Sequence, residues 1–304
     1  MSGYLISIIV FGGVWAILAV SLNLLTGEAG LVSLGQAAFF ALGAYTSALL
    51  ALRAELPFLA CLAISALVGG VLTGALGLLA LRVRDDFLVF TTIGVNFLVV
   101  AVFQYFEAFG GALGLVALPF AEVAGVRLTP QRYAWLVLAV LGLVVAASFA
   151  LRRTWLGTGL AALREDEQAA RALGIPTRAY KVVAFALAGV VAGLAGGLYA
   201  FYLGSVFPQN FGFLVSIQVM AMLVLGGLGT LAGAVIGAFL LTALPEVLRP
   251  LADYRYTILG LILILVVMVA PDGLVGVARR WLTSLRRRGG QAETTPPAGS
   301  EARP

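Results

Sequence analysis

Apolar positions along this chain come in long unbroken runs, not in the short alternations of a soluble helix or strand. A spanning helix needs roughly 20 apolar residues to cross the hydrocarbon core of a bilayer. Candidates recur at about 4–25, 30–52, 58–81, 87–108, 132–151, 182–203, 213–228, 230–248 and 254–270. Several are short or interrupted by Gly, so the pattern predicts about eight to ten transmembrane or re-entrant helices. The fold class expected is therefore all-α, a polytopic helical membrane protein. One stretch breaks the pattern: "LREDEQAARALGIPTRAYK", residues 163–181, is the densest run of charge between the two ends of the chain. It must lie outside the hydrocarbon.

Within that stretch Ala162, Leu163, Ala169, Ala170 and Leu173 recur at helical spacing on one side, while Arg164, Glu165, Gln168 and Arg171 face away. Glu167 precedes Arg171 by four residues, the favourable order for a helix pair. "LGIP" is a stop signal: Gly174 suits a left-handed cap, Ile175 packs back, and Pro176 prevents continuation. The spacing predicts one amphipathic helix over about 160–175. Its polar side mixes both signs, whereas helices that lie on lipid favour Lys and Arg, so a protein partner is the expected contact.

Basic residues orient the chain. Arg152, Arg153, Arg164, Arg171, Arg178 and Lys181 share one loop, and Arg279, Arg280, Arg286, Arg287 and Arg288 follow the last span. The positive-inside rule places both regions, and hence the C-terminus, in the cytoplasm. Arg82 and Arg84 make a third cytoplasmic turn, leaving 109–131 outside and the N-terminus outside too, unless 26–45 is re-entrant. The first basic residue is Arg53, so the apolar N-terminus lacks the charged region of a signal peptide and is expected to be kept as a span. "RRWLTSLRRR" suits an anchor at anionic lipid. The polar, Gly- and Pro-rich tail at 284–304 is expected to be disordered, beyond a transmembrane domain over 1–283.

Composition narrows the chemistry. The chain is 62% hydrophobic and 11% charged, where a soluble domain is roughly half apolar and a quarter charged. It has no His, which removes imidazole as ligand, shuttle or base, and its one Cys, Cys61, cannot form an internal disulfide. The net charge of +5 clusters at membrane flanks and is no nucleic-acid footprint. There is no phosphate-binding loop, and the only Lys, Lys181, follows Ala and Tyr. A membrane-embedded ladder of ionisable residues is missing as well: Glu107, at the outer end of 87–108, is the one acidic residue near a span interior. A membrane enzyme has little to work with here. Energy for active transport would come from another subunit, and this chain is expected to carry no catalytic residue, metal or cofactor of its own. A passive channel or ion-coupled carrier is the reading from another class.

Two Gly-rich segments echo one another: "GLVSLGQAAFFALGA" at 30–44 and "GLGTLAGAVIGA" at 227–238. Matching Gly-interrupted segments in two halves of a transporter point to a central pathway, and small residues also let helices pack closely, as in "GVVAGLAGGLYA" at 189–200. Polar side chains inside the apolar runs need partners away from lipid. Asn23, Ser33, Gln36, Asn96, Ser216 and Gln218 are the candidate pathway residues, with Gln104 a further such position.

Four blocks then carry a resemblance. "LNLLTGEAGLVSLGQAAFFALGAYTSALL" (22–50), "LREDEQAARALGIPTRAYKVVAFALAGVVAGLAGGLYA" (163–200), "VLGGLGTLAGAVIGAFLLTALPEVLR" (224–249) and "APDGLVG" (270–276) resemble, in order, blocks of the inner-membrane permeases of branched-chain amino-acid ABC importers, LivM type. The resemblance covers nearly the whole chain except its tail. It implies a permease of the bacterial inner membrane that pairs with a second permease subunit, two ATP-binding cassette subunits holding ATP and Mg, and an external substrate-binding protein. ATPase coupling is implied at Arg164, Glu165, Glu167, Ala169, Ala170, Arg171 and Gly174, where the A-A-x-x-x-G core is kept at Ala169, Ala170 and Gly174. The chain departs from the pattern twice. It lacks the Ile-x-Leu-Pro extension downstream of that core, and "FGGALGL" (109–115) has Ala112 and Leu113 where a polar residue is common. The implied substrate is leucine, isoleucine or valine, with urea or short amides as the alternative.

Overall fold

The computed structural model describes residues 3–80, 85–123, 125–247, 260, 268 and 273–276. Helix α1 (Gly3–Leu22) widens into a π-helical turn (Asn23–Glu28). Helices α2 (Gln36–Arg53), α3 (Phe58–Ala80) and α4 (Asp85–Tyr105) follow, then α5 (Pro130–Arg152), α6 (Trp155–Glu165) and α7 (Glu167–Ala172). Helices α8 (Thr177–Leu203), α9 (Phe213–Gly226) and α10 (Leu231–Val247) complete the bundle. Six described helical stretches are long and apolar enough to cross a bilayer, running 3–28, 58–79, 87–105, 130–152, 177–203 and 208–226, and 231–245 is a shorter apolar helix. The protein is a multi-pass helical membrane protein.

The helices divide into an inner and an outer set. The apolar windows of α1 and α8 are 67% and 61% buried, against 22% for α4 and 28% for α5, so α1 and α8 form the centre and α4 and α5 the flanks. Every residue from Ala16 to Leu25 is buried, as expected of a helix that is apolar all round. Hydrophobicity alone does not hold helices together in lipid, so close backbone approach must contribute. It does so where α2, α3 and α8 cross: a methyl built on Gly43 would collide with the backbone of Gly193, and one built on Gly193 with that of Ser65. Beside this crossing an aromatic layer joins α1, α2, α4 and α8. Phe40 lies 5.1 Å from Tyr199 and 5.3 Å from Phe211, and Tyr45 stacks on Phe103 at 3.9 Å.

The path of the chain defines two ends. At one end the strands β1 (Leu115–Val116) and β4 (Ser205–Val206) pair antiparallel, and β2 (Glu122–Val123) pairs with β3 (Val126–Arg127). The start of α1 lies here, with the Tyr202 hydroxyl donating to Ser7 Oγ at 2.9 Å. At the other end lie α6, α7, the π-turn after α1, and residues 227–230, with Gly273 against Gly227. The Thr129 hydroxyl caps α5 and Pro130 fills its first turn, a common helix opening.

Three expectations need correction. The run 30–52 is not one helix: 29–35 is irregular, and α2 begins only at Gln36, beside the Leu18 carbonyl of α1. The helix expected over 160–175 is two helices, because Asp166 adopts an extended backbone (φ −159°, ψ 110°) and caps a new start. Of its proposed apolar side, Leu163 and Ala170 are buried, but Leu173 is 81% exposed and Ala169 is exposed. Arg82, Arg84, most of the 254–270 run, the "RRWLTSLRRR" segment and the tail at 284–304 lie outside the described residues.

Candidate functional site

Five of the six candidate pathway residues, Asn23, Ser33, Gln36, Asn96 and Ser216, are fully buried. Their bonds share a logic: each meets a backbone group or polar side chain exposed where a helix is interrupted. The hydroxyl of Ser216 on α9 accepts from the amide of Ala37 at 2.9 Å, one of the free donors opening α2. Asn23 Oδ1 accepts from the amide of Gly229 at 3.0 Å, in the turn before α10. Asn96 Nδ2 donates to the carbonyl of Phe211 at 3.2 Å, just before α9. Ser33 accepts from the amide of Gly35 at 3.2 Å. Gln36 Nε2 donates to Ser21, whose hydroxyl donates in turn to the Ala188 carbonyl at 2.6 Å, so α2, α1 and α8 are tied by one relay.

This tier is not saturated. Asn23 Nδ2, Gln36 Oε1 and Asn96 Oδ1 are buried and have no hydrogen-bond partner among the described residues. Buried amide atoms normally find one, so three amides hold spare hydrogen-bonding capacity inside the bundle. Gln218 stands apart: it is exposed, in an open groove of about 290 Å³ with Ser7, Phe11, Trp15 and Thr242. Gln104 is half-buried near the end of α4. Sequence reading missed Ser21, and also Thr92, whose hydroxyl accepts from the amide of Leu34 at 3.0 Å. Thr92 lies one helical turn before Asn96 on α4, and that spacing was the available signal.

The polar tier ends in a charged cluster. Arg152, last residue of α5, pairs with Glu28 at 2.9 Å and also donates to the Gly229 carbonyl at 3.1 Å. The Glu28 side chain is only 9% exposed. Arg164 on α6 turns its guanidinium inward to the Gly27 carbonyl. Gly30 (φ +72°) and Gly229 (φ +78°) both pack on Arg164: a methyl on either would lie 3.0 Å from its Cα and 2.7 Å from its Nη1, respectively. Arg164, expected at the coupling face, is exposed and also holds the two glycine turns through its guanidinium. Glu28 and Arg152 are 124 positions apart, and nothing in the sequence pairs them.

Helix α7 is fixed by its own ends. The Asp166 carboxylate accepts from the amides of Gln168 and Ala169 at 2.7 and 3.0 Å. Gly174 takes φ +83°, with Ile175 N bonded back to the Ala170 carbonyl, the closing geometry of a Schellman cap. Glu167 is paired with Arg171 at 2.9 Å and with Lys181 of α8 at 2.8 Å, so it anchors α7 to α8. Glu165, Gln168, Ala169, Arg171 and Leu173 remain exposed. No group of three His, Cys, Asp or Glu side chains able to hold a metal occurs among the described residues.

Residues 4–269 match the family described as branched-chain amino acid transport system, permease component. The chain belongs to this permease family. It is 34% identical over 305 residues to the high-affinity branched-chain amino acid transport system permease protein LivM of Salmonella typhimurium, covering 92% of this chain and 71% of that one. The LivM of Escherichia coli is 34% identical over 291 residues, covering 88% and 68%. The autoinducer 2 import system permease protein LsrC of Yersinia enterocolitica is 36% identical over 139 residues, covering 43% and 38%. No solved structure matches the chain. As a member of this permease family the chain is a non-enzymatic component of a transport system. The glycine echo acquires a physical content in this setting: each copy starts at a glycine turn that packs on Arg164, through Gly30 in the first and Gly229 in the second.

Proposed function

We propose that this chain is the membrane permease of an ATP-driven importer of branched-chain amino acids. The observation that carries the reading is likeness to two LivM permeases along about nine-tenths of the chain. The α6–α7 end is then cytoplasmic, because Arg152, Arg153, Arg164, Arg171, Arg178 and Lys181 gather there. Two ATPase subunits dock on the exposed edge of α6–α7, at Glu165, Gln168, Ala169, Arg171 and Leu173. A leucine 81% exposed beside the Gly174 cap supports a protein contact at that edge. A second permease subunit completes the pathway across the inner membrane, and a binding protein delivers substrate to the end bearing β1–β4. ATP and Mg belong to the ATPases. The likeness to LsrC, over less than half of the chain, supports a second reading in which the cargo is the one that system carries.

The test is uptake of labelled leucine by cells with and without this chain, in a background lacking other leucine importers. Excess isoleucine, alanine, urea and autoinducer 2 are added in turn. Loss of uptake on deletion, with isoleucine the strongest competitor, is the expected result. Uptake unchanged by deletion overturns the amino-acid cargo.

A further inference from the structure

We propose that Arg152 and Arg164 are gate-positioning residues: together they latch the cytoplasmic mouth of the pathway by holding the turns at 27–30 and 227–229 shut. The inference rests on the reading above that this end is cytoplasmic and that ATPases move α6–α7. The contacts are specific. Arg164 donates to the Gly27 carbonyl, and Gly30 and Gly229 lie against it. Arg152 binds Glu28 on one turn and the Gly229 carbonyl on the other, so one guanidinium spans both. The turns also touch directly, through Asn23 Oδ1 and the amide of Gly229 at 3.0 Å. Beside them sits Asn23 Nδ2, buried and without a partner among the described residues.

The chain connectivity makes this a device and not only a brace. Arg152 ends α5, Arg164 lies in the last turn of α6, and Asp166 then breaks the helix so that α7 leaves in a new direction. Force applied at exposed Arg171 or Leu173 therefore reaches Arg164 across one bent residue. Withdrawing α6 removes the Arg164 bond to Gly27. Charge-assisted bonds of this kind are the strong ones, and losing Arg164 leaves the part-buried Gly27 carbonyl without its cationic donor. A movement of α6 by an ångström or two thus switches the mouth between two contact sets, as a coupling element must.

The test uses the assembled transporter in proteoliposomes. Cys61 is buried and is replaced by serine, and Ser33→Cys, fully buried three residues beyond the Gly30 turn, is the reporter for a membrane-impermeant maleimide added from the α6–α7 side. The intact latch protects the thiol, and ATP exposes it. Glu28→Arg or Arg152→Glu alone raises the labelling rate without ATP roughly tenfold or more, tenfold corresponding to about 1.4 kcal/mol. The double reversal, Glu28→Arg with Arg152→Glu, returns it towards the parent rate. Glu28→Gln, which keeps shape and an acceptor, gives a smaller rise and serves where the reversals fold poorly. Labelling that single reversals leave unchanged, or that the double reversal does not lower, overturns the latch. If labelling ignores ATP in the parent yet responds to the reversals, the latch stands and the ATP-driven reading falls.

Discussion

Replacing Gly193 with Ala should loosen the centre of the bundle although it adds only one methyl group. That methyl would sit inside contact distance of the Ser65 carbonyl oxygen and 3.1 Å from Ala66 Cα. Carbon contacts settle at about 3.5–4 Å. The obstacle is backbone, which cannot swing aside, so α3 and α8 must part. Overpacking of this kind costs about 1–3 kcal/mol, and the better helix propensity of Ala returns at most about 1 kcal/mol. A net loss of about 1–2 kcal/mol changes the folded-to-unfolded ratio roughly five- to thirtyfold. The control is Gly142→Ala on α5, where a methyl meets nothing within 4 Å among the described residues and the substitution should be neutral or slightly stabilising. The assay is unfolding by SDS titration in mixed micelles. Equal midpoints for the two variants would refute the claim that backbone approach at this crossing holds the inner helices together.

Other sites test the α6–α7 segment and the polar tier. Gly174→Val should uncouple ATP hydrolysis from uptake while the protein still inserts: among the described residues nothing within 4 Å blocks the side chain, so the penalty is the left-handed backbone at φ +83°, about 1–3 kcal/mol. Gly174→Asn should be milder, and the ratio of ATP hydrolysed to substrate moved reads both. Asp166→Ala should cost about 1 kcal/mol by uncapping α7 and lower ATPase co-purification, whereas Asp166→Asn should restore most of it. Gln36→Leu should lower both stability and transport by breaking the relay through Ser21 to Ala188. Ser216→Cys should be tolerated, since a thiol still occupies the place facing the Ala37 amide.

How much the sequence disclosed depended on the range of the interaction. The spans were legible because a bilayer asks for long apolar runs, and the Gly174 cap was legible because Leu-Gly-Ile-Pro is a local signal. The buried polar residues were found as anomalies in apolar helices, though not their partners: Ser216 and the Ala37 amide lie 179 positions apart. Periodicity read 160–175 as one helix although Asp166 falls, at helical spacing, on its apolar side with Ala162, Leu163, Ala169 and Ala170. Only the competition between its carboxylate and the helix backbone for the amides of Gln168 and Ala169 makes a break there. The partners of Arg152 and Arg164 were not legible either. Each lies in the last turn of its helix, and the carbonyl or carboxylate it binds comes from a turn that sequence spacing cannot bring close.

The central claim is tested most directly by reconstituting this chain with its second permease and ATPases in proteoliposomes, and following leucine in the presence of the binding protein. Accumulation should require hydrolysable ATP on the α6–α7 side and stop with a non-hydrolysable analogue. Accumulation without ATP, driven by a sodium or proton gradient, would contradict it.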